Sequence, residues 1–523
     1  MDAQSGTPQA AGPGAKPTSQ LPFTGKEYLA SLDDGREVWI YGKRVKNITQ
    51  HPAFRNSARM IARLYDALHD PSKRELLSMP NEGDGYTHRF FRAPRTVEEQ
   101  VASRDAIAAW QRMTYGWMGR TPDYKGSFLA TLGANAAFYK GYEKNATRWY
   151  RKAQERTWYI NHAIMHPPVD RHLPSADTSD VYVHVTKETD AGIYVSGAKV
   201  VATGSALTHY TFIAHIAQVP IKDPNYAPVF MVPTGAPGVK MICRVSNEYR
   251  AAVAGSPFDY PLSSRMDEND AILVLDNVFV PWEDVFMHAN LEQANQFGGG
   301  SGFNQRAALH GCTRLAVKLD FICGLLAKSL DITGASGFHG VQSKFGEVLA
   351  WRNTFWGLSD AMAKSNLPWN GMVQPDHRYG TAYRVISQIA YPAIKEIIEQ
   401  IVASGLIYVN SHAVDFKVPE LRKYLDKYLR GTGGISADQR VKTMKLLWDT
   451  IGTEFGARHE LYEINYLGSN DITRLCNLWD AQATGDLDEM KRFADTCMAE
   501  YNLDGWIAPD MISSDDVNII TRG

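Results

Sequence analysis

Apolar residues recur along the chain with three successive rhythms. Residues 1–22 hold Gly, Pro, Ala, Ser and Gln without an apolar run, which predicts a disordered tail and no signal peptide. From Phe23 to Leu32 and from Arg36 to Val45, short apolar runs alternate with turn signals. A helical period then spans Pro52–His69, placing Ala58, Ile61, Ala62, Leu64, Tyr65 and Leu68 on one broad face. Val97–Met118 predicts a second helix that stops near Gly119, because Pro122 disfavours its continuation. A third helix is expected over about residues 136–164. Beyond Pro167 the rhythm shortens to β-branched runs at 181–186, 193–196, 199–202, 211–216, 229–232, 239–243 and 271–280, separated by Gly, Asp and Pro. The Gly-rich stretch 297–302 reads as a flexible linker. Long helical periods return at 313–330, 341–363, 381–404 and 437–455, lengths that suit a bundle.

The expected architecture is therefore α+β and mostly α. It comprises a tail (1–22), an N-terminal helical domain (23–166), a middle β-rich domain (167–296) and a C-terminal helical bundle with its tail (297–523). The 523 residues leave room for about three domains. A formal charge of −2 argues against a general nucleic-acid reader, which would show a basic excess. No run reaches the ~18 apolar residues of a membrane helix. Five widely spaced cysteines with no C-x-x-C pair argue against a zinc ribbon or a disulfide framework, so a reducing, cytoplasmic setting is expected. The aromatic share of 11% is above average and, by composition alone, reads as core.

Several catalytic motifs are missing. There is no G-x-x-x-x-G-K-[ST] phosphate loop, no G-x-G-x-x-G after a strand and no G-x-S-x-G elbow. His459-Glu460-Leu461-Tyr462-Glu463 lacks the second His of a zinc helix, and no metal is expected.

Four segments carry chemistry. Gly119-Arg120-Thr121-Pro122-Asp123-Tyr124 presents a fixed cation and a neutral hydroxyl from one tight loop, a pair suited to a phenolic oxygen or its anion. Taken alone, it reads sooner as a capped loop with Arg120 paired to Asp123. His162-Ala163-Ile164-Met165-His166-Pro167-Pro168-Val169-Asp170-Arg171 marks the helix-to-β junction. Its two His are four apart at a helix end, and a lone acid–base His is the better reading than a metal pair. Asp170 and Arg171 offer a charge pair for a polar cofactor, or else a surface ion pair. Between Ser196 and Ala206, small residues let a planar ligand approach, and Thr203 and Ser205 could bond ring heteroatoms; alone, the segment is a hairpin. Gly456-Ala457-Arg458-His459 sets a cation at a close backbone approach in the bundle, and alone is a solvated helix turn. His310, at the head of the first long bundle helix, reads as structural.

In this order and spacing, the Gly-Arg-Thr-Pro-Asp-Tyr and His-Ala-Ile…Pro-Val-Asp-Arg segments resemble the oxygenase component of two-component, reduced-flavin-dependent monooxygenases. The family is that of 4-hydroxyphenylacetate 3-monooxygenase and its phenol and 4-nitrophenol hydroxylase relatives, and the likeness covers about residues 23–505. It implies an acyl-CoA dehydrogenase-like fold and a homotetramer built through the bundle. It implies FAD as FADH2, supplied by a separate NAD(P)H–flavin reductase, with O2 and a small phenol as substrates and a flavin C4a-hydroperoxide as oxygen donor. By the same resemblance, Arg120, Tyr124 and His162 contact the phenol hydroxyl. His162, Ala163, Ile164, Pro168, Val169, Asp170, Arg171, Thr203, Gly456, Arg458 and His459 hold the flavin, and Ser205, Ala206 and Leu207 join the substrate side. Tyr124 favours the ortho-hydroxylating branch. The neutral character of Ala206, Leu207 and Tyr210 favours a small phenol over a charged one. An acyl-CoA dehydrogenase-like oxidoreductase would need a carboxylate base that has no obvious place here, and a non-catalytic helical binding protein would show no flavin affinity.

Overall fold

A computed structural model describes residues 21–170, 172–173, 178, 180–215 and 220–511. The tail expected at 1–22 lies outside them, save Leu21 and Pro22, and so do Arg171 and Ile216. The N-terminal part holds α1 (Gly25–Ser31), strands β1 (Glu37–Ile40) and β2 (Lys43–Arg44), α2 (Arg55–His69), α3 (Pro71–Leu77) and the hairpin β3 (Ser78–Pro80) and β4 (Tyr86–His88). Helices α4 (Val97–Met113), α5 (Gly126–Ala134) and α6 (Glu143–Glu155) complete it. The predicted second helix stops earlier than its proline demands. Tyr115 and Gly116 turn left-handed (φ 54° and 74°), and a Cβ on Gly116 would lie 2.6 Å from the Lys318 backbone. A neighbouring helix, invisible to local sequence, sets that stop.

The third predicted helix is wrong in its second half. α6 ends at Glu155, Thr157 has φ 52°, and residues 160–163 form strand β5 (Ile160–Ala163). Trp158 and Tyr159 lead into it and Ile160 opens it, aromatic and β-branched residues that suit an extended chain. β5 pairs in parallel with β8 (Tyr210–Ile213), placing His162 opposite Phe212. His162 and His166 are thus not a helical i, i+4 pair.

The middle region adds β6 (His184–Thr189), β7 (Gly192–Lys199), β9 (Val229–Pro233), β10 (Val239–Cys243), α7 (Asn247–Ala254), β11 (Ala271–Pro281) and β12 (Val285–Met287). The two runs expected at 193–196 and 199–202 are mostly one strand, β7. The strands form a six-stranded sheet, β2-β1-β10-β11-β7-β6, and a four-stranded sheet, β12-β9-β8-β5. β1 comes from the helical region and pairs in parallel with β10, so the first two parts share a sheet.

The Gly-rich stretch is mostly helical: α8 (Leu291–Gly300) contains Phe297–Gly300, and Gly302 caps the next helix at φ 90°. Phe297 is buried against Phe212 and Phe303, which anchors the segment. The bundle follows as α9 (Phe303–Thr333), α10 (His339–Lys364), α11 (His377–Val402), α12 (Pro419–Tyr428), α13 (Ala437–Ile451), α14 (Glu454–Asn465), α15 (Asn470–Thr484) and α16 (Asp486–Met498). The helix expected over 437–455 breaks at Gly452, where Thr453 caps α14. α9 is buried nearly all round along its first half, including Arg306, His310, Arg314 and Lys318. Among the described residues no helix is long and apolar enough to cross a membrane.

Candidate active site

Pro122 opens a 3-10 turn, Pro122–Lys125, whose fixed φ suits a first helical position. The turn runs straight into α5, so Arg120, Tyr124 and Lys125 leave a rigid segment. Arg120 is held through its backbone. Glu268 accepts the N–H groups of Gly119 (2.8 Å) and Arg120 (2.5 Å), and the Tyr159 hydroxyl donates to the Arg120 carbonyl at 2.6 Å. Its buried guanidinium lies 4.1 Å from the Tyr124 ring centroid, 5.1 Å from Tyr462 and 5.2 Å from Tyr466. Burial opposes its charge, yet the tyrosines and Glu268 keep its pKa above the usual value. Asp123 does not pair with Arg120: its carboxylate lies 3.1 Å from His310 Nε2, on the bundle side. Burial raises the Asp123 pKa, and His310, His88 and Thr121 outweigh that and lower it.

β5 brings His162 to the same place. Its ring is 5.5 Å from Tyr124, between Phe128 and Phe303. Burial first, and then the nearby Arg120 cation, push its pKa well below the histidine range, so it is neutral at pH 7. His162 Nδ1 has no hydrogen-bond partner. The structure therefore brings together the three residues expected at a phenol oxygen, and adds Lys125, which the motif reading passed over.

A second group forms where β7 ends. Thr203 Oγ1 donates to Asp270 (2.6 Å), Tyr466 OH donates to Asp270 (2.7 Å), and Arg458 donates to both Asp270 oxygens (2.9 and 3.1 Å). Burial raises the Asp270 pKa, but Arg458, Thr203 and Tyr466 outweigh it and hold it low. Thr203 and Arg458, 255 positions apart in the numbering, are thus linked by a residue absent from the sequence reading. The acidic run Asp267-Glu268-Asn269-Asp270 looks like solvated surface in sequence, and only tertiary packing buries its first three residues and covers most of the Asp270 side chain. Tyr466 touches both groups, since it also lies beside Arg120.

The other expected residues are distributed unevenly. Gly456 sits where α14 starts against α13, and a Cβ there would meet the Thr450 carbonyl at 2.7 Å. His459 makes no hydrogen bond to Asp270 and is packed on Phe455 (4.4 Å) and Trp117 (5.0 Å) near Lys318. Ala206 and Leu207 are buried, and their carbonyls accept from Arg36 (2.8 Å) and Tyr28 (2.9 Å). Ser205 Oγ is buried without a partner, as are the side-chain polar atoms of Asn161 and Thr211 on paired strands. Asp170 is exposed with φ 43°; its expected partner Arg171 lies outside the described residues. Lys199 ties the strand ends together, donating to the carbonyls of Ile164 (3.2 Å) and Ala214 (3.0 Å).

Beside Thr203 lies an open apolar ledge. Met165, Val169 and Val201 are 45%, 43% and 47% exposed, and Met165 bridges to Val200. Val201 is β-branched with φ 56°, a strained position that points to a functional site. An apolar shelf flanked by a hydroxyl and a buried cation fits a planar, polar-edged cofactor such as a flavin.

Family models described as the N-terminal and C-terminal parts of 4-hydroxyphenylacetate 3-hydroxylase match residues 24–287 and 294–495. The chain is 58% identical, over 97% of each chain, to the (3S)-3-amino-3-(3-chloro-4-hydroxyphenyl)propanoyl-peptidyl-carrier-protein monooxygenase of Streptomyces globisporus. It is 56% identical to the oxygenase component of 4-nitrophenol 2-monooxygenase from Rhodococcus sp, over 96% of this chain and 97% of that one. It is 52% identical to the 4-hydroxyphenylacetate 3-monooxygenase oxygenase component of Escherichia coli, over 97% and 98%. A crystal structure of such an oxygenase component with FAD and 4-hydroxyphenylacetate superposes with a TM-score of 0.85 at 31% identity, covering 91% of this chain and 99% of that one. The order of helical region, β region and bundle is the fold this chain shares with that oxygenase component. With both halves matched, this chain belongs to the 4-hydroxyphenylacetate 3-hydroxylase family.

Proposed function

We infer that this chain is the oxygenase component of a two-component aromatic monooxygenase, which hydroxylates a phenol ortho to its hydroxyl and yields a catechol. FAD enters reduced, from a separate NAD(P)H-dependent flavin reductase, and O2 supplies the oxygen. The observation that carries this reading is the convergence of Arg120, Tyr124 and His162, joined through Tyr466 to the group of Asp270, Thr203 and Arg458. His162–Ile164, Pro168–Arg171, Thr203, Gly456, Arg458 and His459 are the residues assigned to the flavin, which when bound supplies the electrons that activate O2.

The chain's own groups manage charge and water. A phenol oxygen at Arg120 meets a permanent cation, and the Tyr124 hydroxyl offers a neutral donor. Negative charge gathered on that oxygen as the ring reacts is stabilised by a guanidinium already held in place by Glu268 and Tyr159, so no reorganisation is needed. His162 presents a neutral imidazole for hydrogen bonding or proton exchange with the hydroxyl. Phe128, Phe212 and Phe303 wall the pocket and keep water out.

The substrate is a phenol, with or without a para substituent, that meets Ser205, Ala206 and Leu207 at its far end. The neutral character of Ala206, Leu207 and Tyr210 supports a small phenol over a charged one. A homotetramer belongs to the same reading, supported by apolar residues exposed on α15 and α16, among them Trp479 (49%) and Phe493 (82%). The test is a product screen over phenol, 4-hydroxyphenylacetate, 4-nitrophenol and a carrier-bound tyrosine analogue, with reduced FAD and isotopically labelled O2. Label in a catechol is expected from at least one; no labelled catechol from any of them refutes the reading.

A further inference from the structure

Four lysines are buried among the described residues: Lys125, Lys199, Lys318 and Lys445. Three have committed their amines. Lys199 donates to two carbonyls, Lys318 to Glu463 (2.7 Å), and Lys445 pairs with Asp259. Lys125 differs: it is fully buried, and Nζ has no hydrogen-bond partner. Placing an amine in such a site without a partner is costly, and the cost points to a ligand that completes it. Nζ lies 5.3 Å from the centroid of the Tyr124 ring, on the turn that also carries Arg120.

The charged and titratable groups facing Lys125 are Arg120, Asp123 and Tyr124 on its own turn, His162 on β5 and Glu268 before β11. Neither carboxylate serves it. Asp123 lies against His310, and Glu268 accepts the backbone N–H groups of residues 119 and 120. Burial, and then the Arg120 charge, push the amine well below the usual lysine range, so it rests neutral and able to accept a proton. In water a phenol titrates near 10 and a lysine near 10.4, against about 6.5 for imidazole. Burial weakens this amine as a base, but a phenolate formed beside it supplies the counter-charge that the buried site lacks, so transfer to Nζ is better matched than transfer to His162.

We propose that Lys125 is a further catalytic residue, the base that takes the phenol's proton when substrate binds, while Arg120, Tyr124 and His162 orient the oxygen. This rests on the phenol site proposed above. The phenol O–H bond breaks, its electron pair stays on oxygen, and the proton forms a new N–H bond at Nζ. The result is a phenolate–ammonium pair with no change in net charge. The catechol oxygen regains that proton when the product forms.

The probe is 4-nitrophenol, titrated anaerobically into the protein with reduced FAD, where no turnover occurs, at a pH low enough that the free nitrophenol, a stronger acid than phenol, is still protonated. Absorbance reads bound phenolate, and calorimetry in two buffers of unlike ionisation enthalpy reads protons released. In the wild type, phenolate forms and its proton stays in the protein. Lys125→Met raises the apparent pKa of the bound phenol by about one unit, a tenfold change, and any phenolate still formed sends its proton to the buffer. Methylamine restores retention in Lys125→Ala. One proton released per phenolate by the wild type overturns the proposal, and that result needs no variant to fold. Retention lost in His162→Asn but kept in Lys125→Met overturns it as well. A failure of 4-nitrophenol to bind, or binding undiminished in Arg120→Ala, is a different outcome: it removes the phenol site itself, and this proposal with it.

Discussion

Two buried charge clusters stand on either side of α14. On the bundle side, Arg314 grips Glu463 with two hydrogen bonds (2.6 and 2.5 Å) and Lys318 adds a third at 2.7 Å, all three residues being buried. Burial raises the Glu463 pKa, but Arg314 and Lys318 outweigh it and bring it to about 2. On the other side, around the 119–125 turn, the Arg120 guanidinium and the Lys125 amine face tyrosine rings, and the Lys125 amine and His162 Nδ1 have no partner. Both clusters cost desolvation. The first satisfies its carboxylate, its amine and two guanidinium nitrogens within the chain, leaving only Arg314 Nε of these three residues unpaired, whereas the second leaves a whole amine and an imidazole nitrogen for a ligand to satisfy. Completeness of pairing, not the mere presence of buried charge, separates a structural cluster from a working site.

The largest effect that would break this contrast is on stability. Glu463→Gln leaves two buried cations without a counter-charge and should cost about 3–5 kcal/mol in a urea titration. A neutral result would show that the bundle cluster is not the structural one. Acidity sharpens the same point. The folded pKa of Glu463 lies below its ordinary 4.5, so its contribution is complete above about pH 4.5 and is lost as pH falls towards about 2. The stability gap between wild type and Glu463→Gln should close over that window, and a gap independent of pH contradicts the pairing. Arg120→Ala should behave in the opposite way. Catechol formation should fall roughly 10²–10³-fold, as when one preorganised donor to a developing oxyanion is removed, with peroxide formed in its place and the fold retained. Coupled turnover at the wild-type rate would remove Arg120 from the site.

Asp270→Asn tests the neighbouring group that Tyr466 joins to Arg120. It weakens the tie that holds Thr203, Arg458 and Tyr466 together, and equilibrium dialysis should show reduced-FAD affinity lower by about 1–3 kcal/mol. Ser205→Ala should give the smallest change. It removes a buried hydroxyl that has no partner, so the unfolding midpoint should be unchanged or slightly higher, within about 0.5 kcal/mol. A clear loss of stability would mean that Ser205 serves the fold.

Much of this was legible before folding was considered. The 3.6-residue and 2-residue rhythms are local, and they marked α2, β10, β11, α10 and α11 to within a few residues, whereas α9 starts ten residues before its expected start at 313. The turn bearing Arg120 and Tyr124 announced itself through Gly119 and Pro122. Errors arose where a distant neighbour decides. α4 stops at Met113 because the Lys318 backbone approaches Gly116, β5 is a strand because β8 lies beside it, and Phe297–Gly300 are helical because Phe297 packs into the core. Lys125 and the run Asp267–Asp270 were missed for a related reason: charged residues read as solvated until something buries them.

Patterning along the chain was enough to establish the succession of helices, strands and helices, and to nominate Arg120, Tyr124 and His162, because periodicity and turn chemistry act over a few residues. Tertiary packing alone decided which charges are satisfied. It buried Glu268 under the Arg120 backbone, joined Thr203 to Arg458 through Asp270, paired Glu463 with Arg314 and Lys318, and left Lys125 without a partner. Desolvation and pairing depend on which distant segments meet, and no local spacing encodes that.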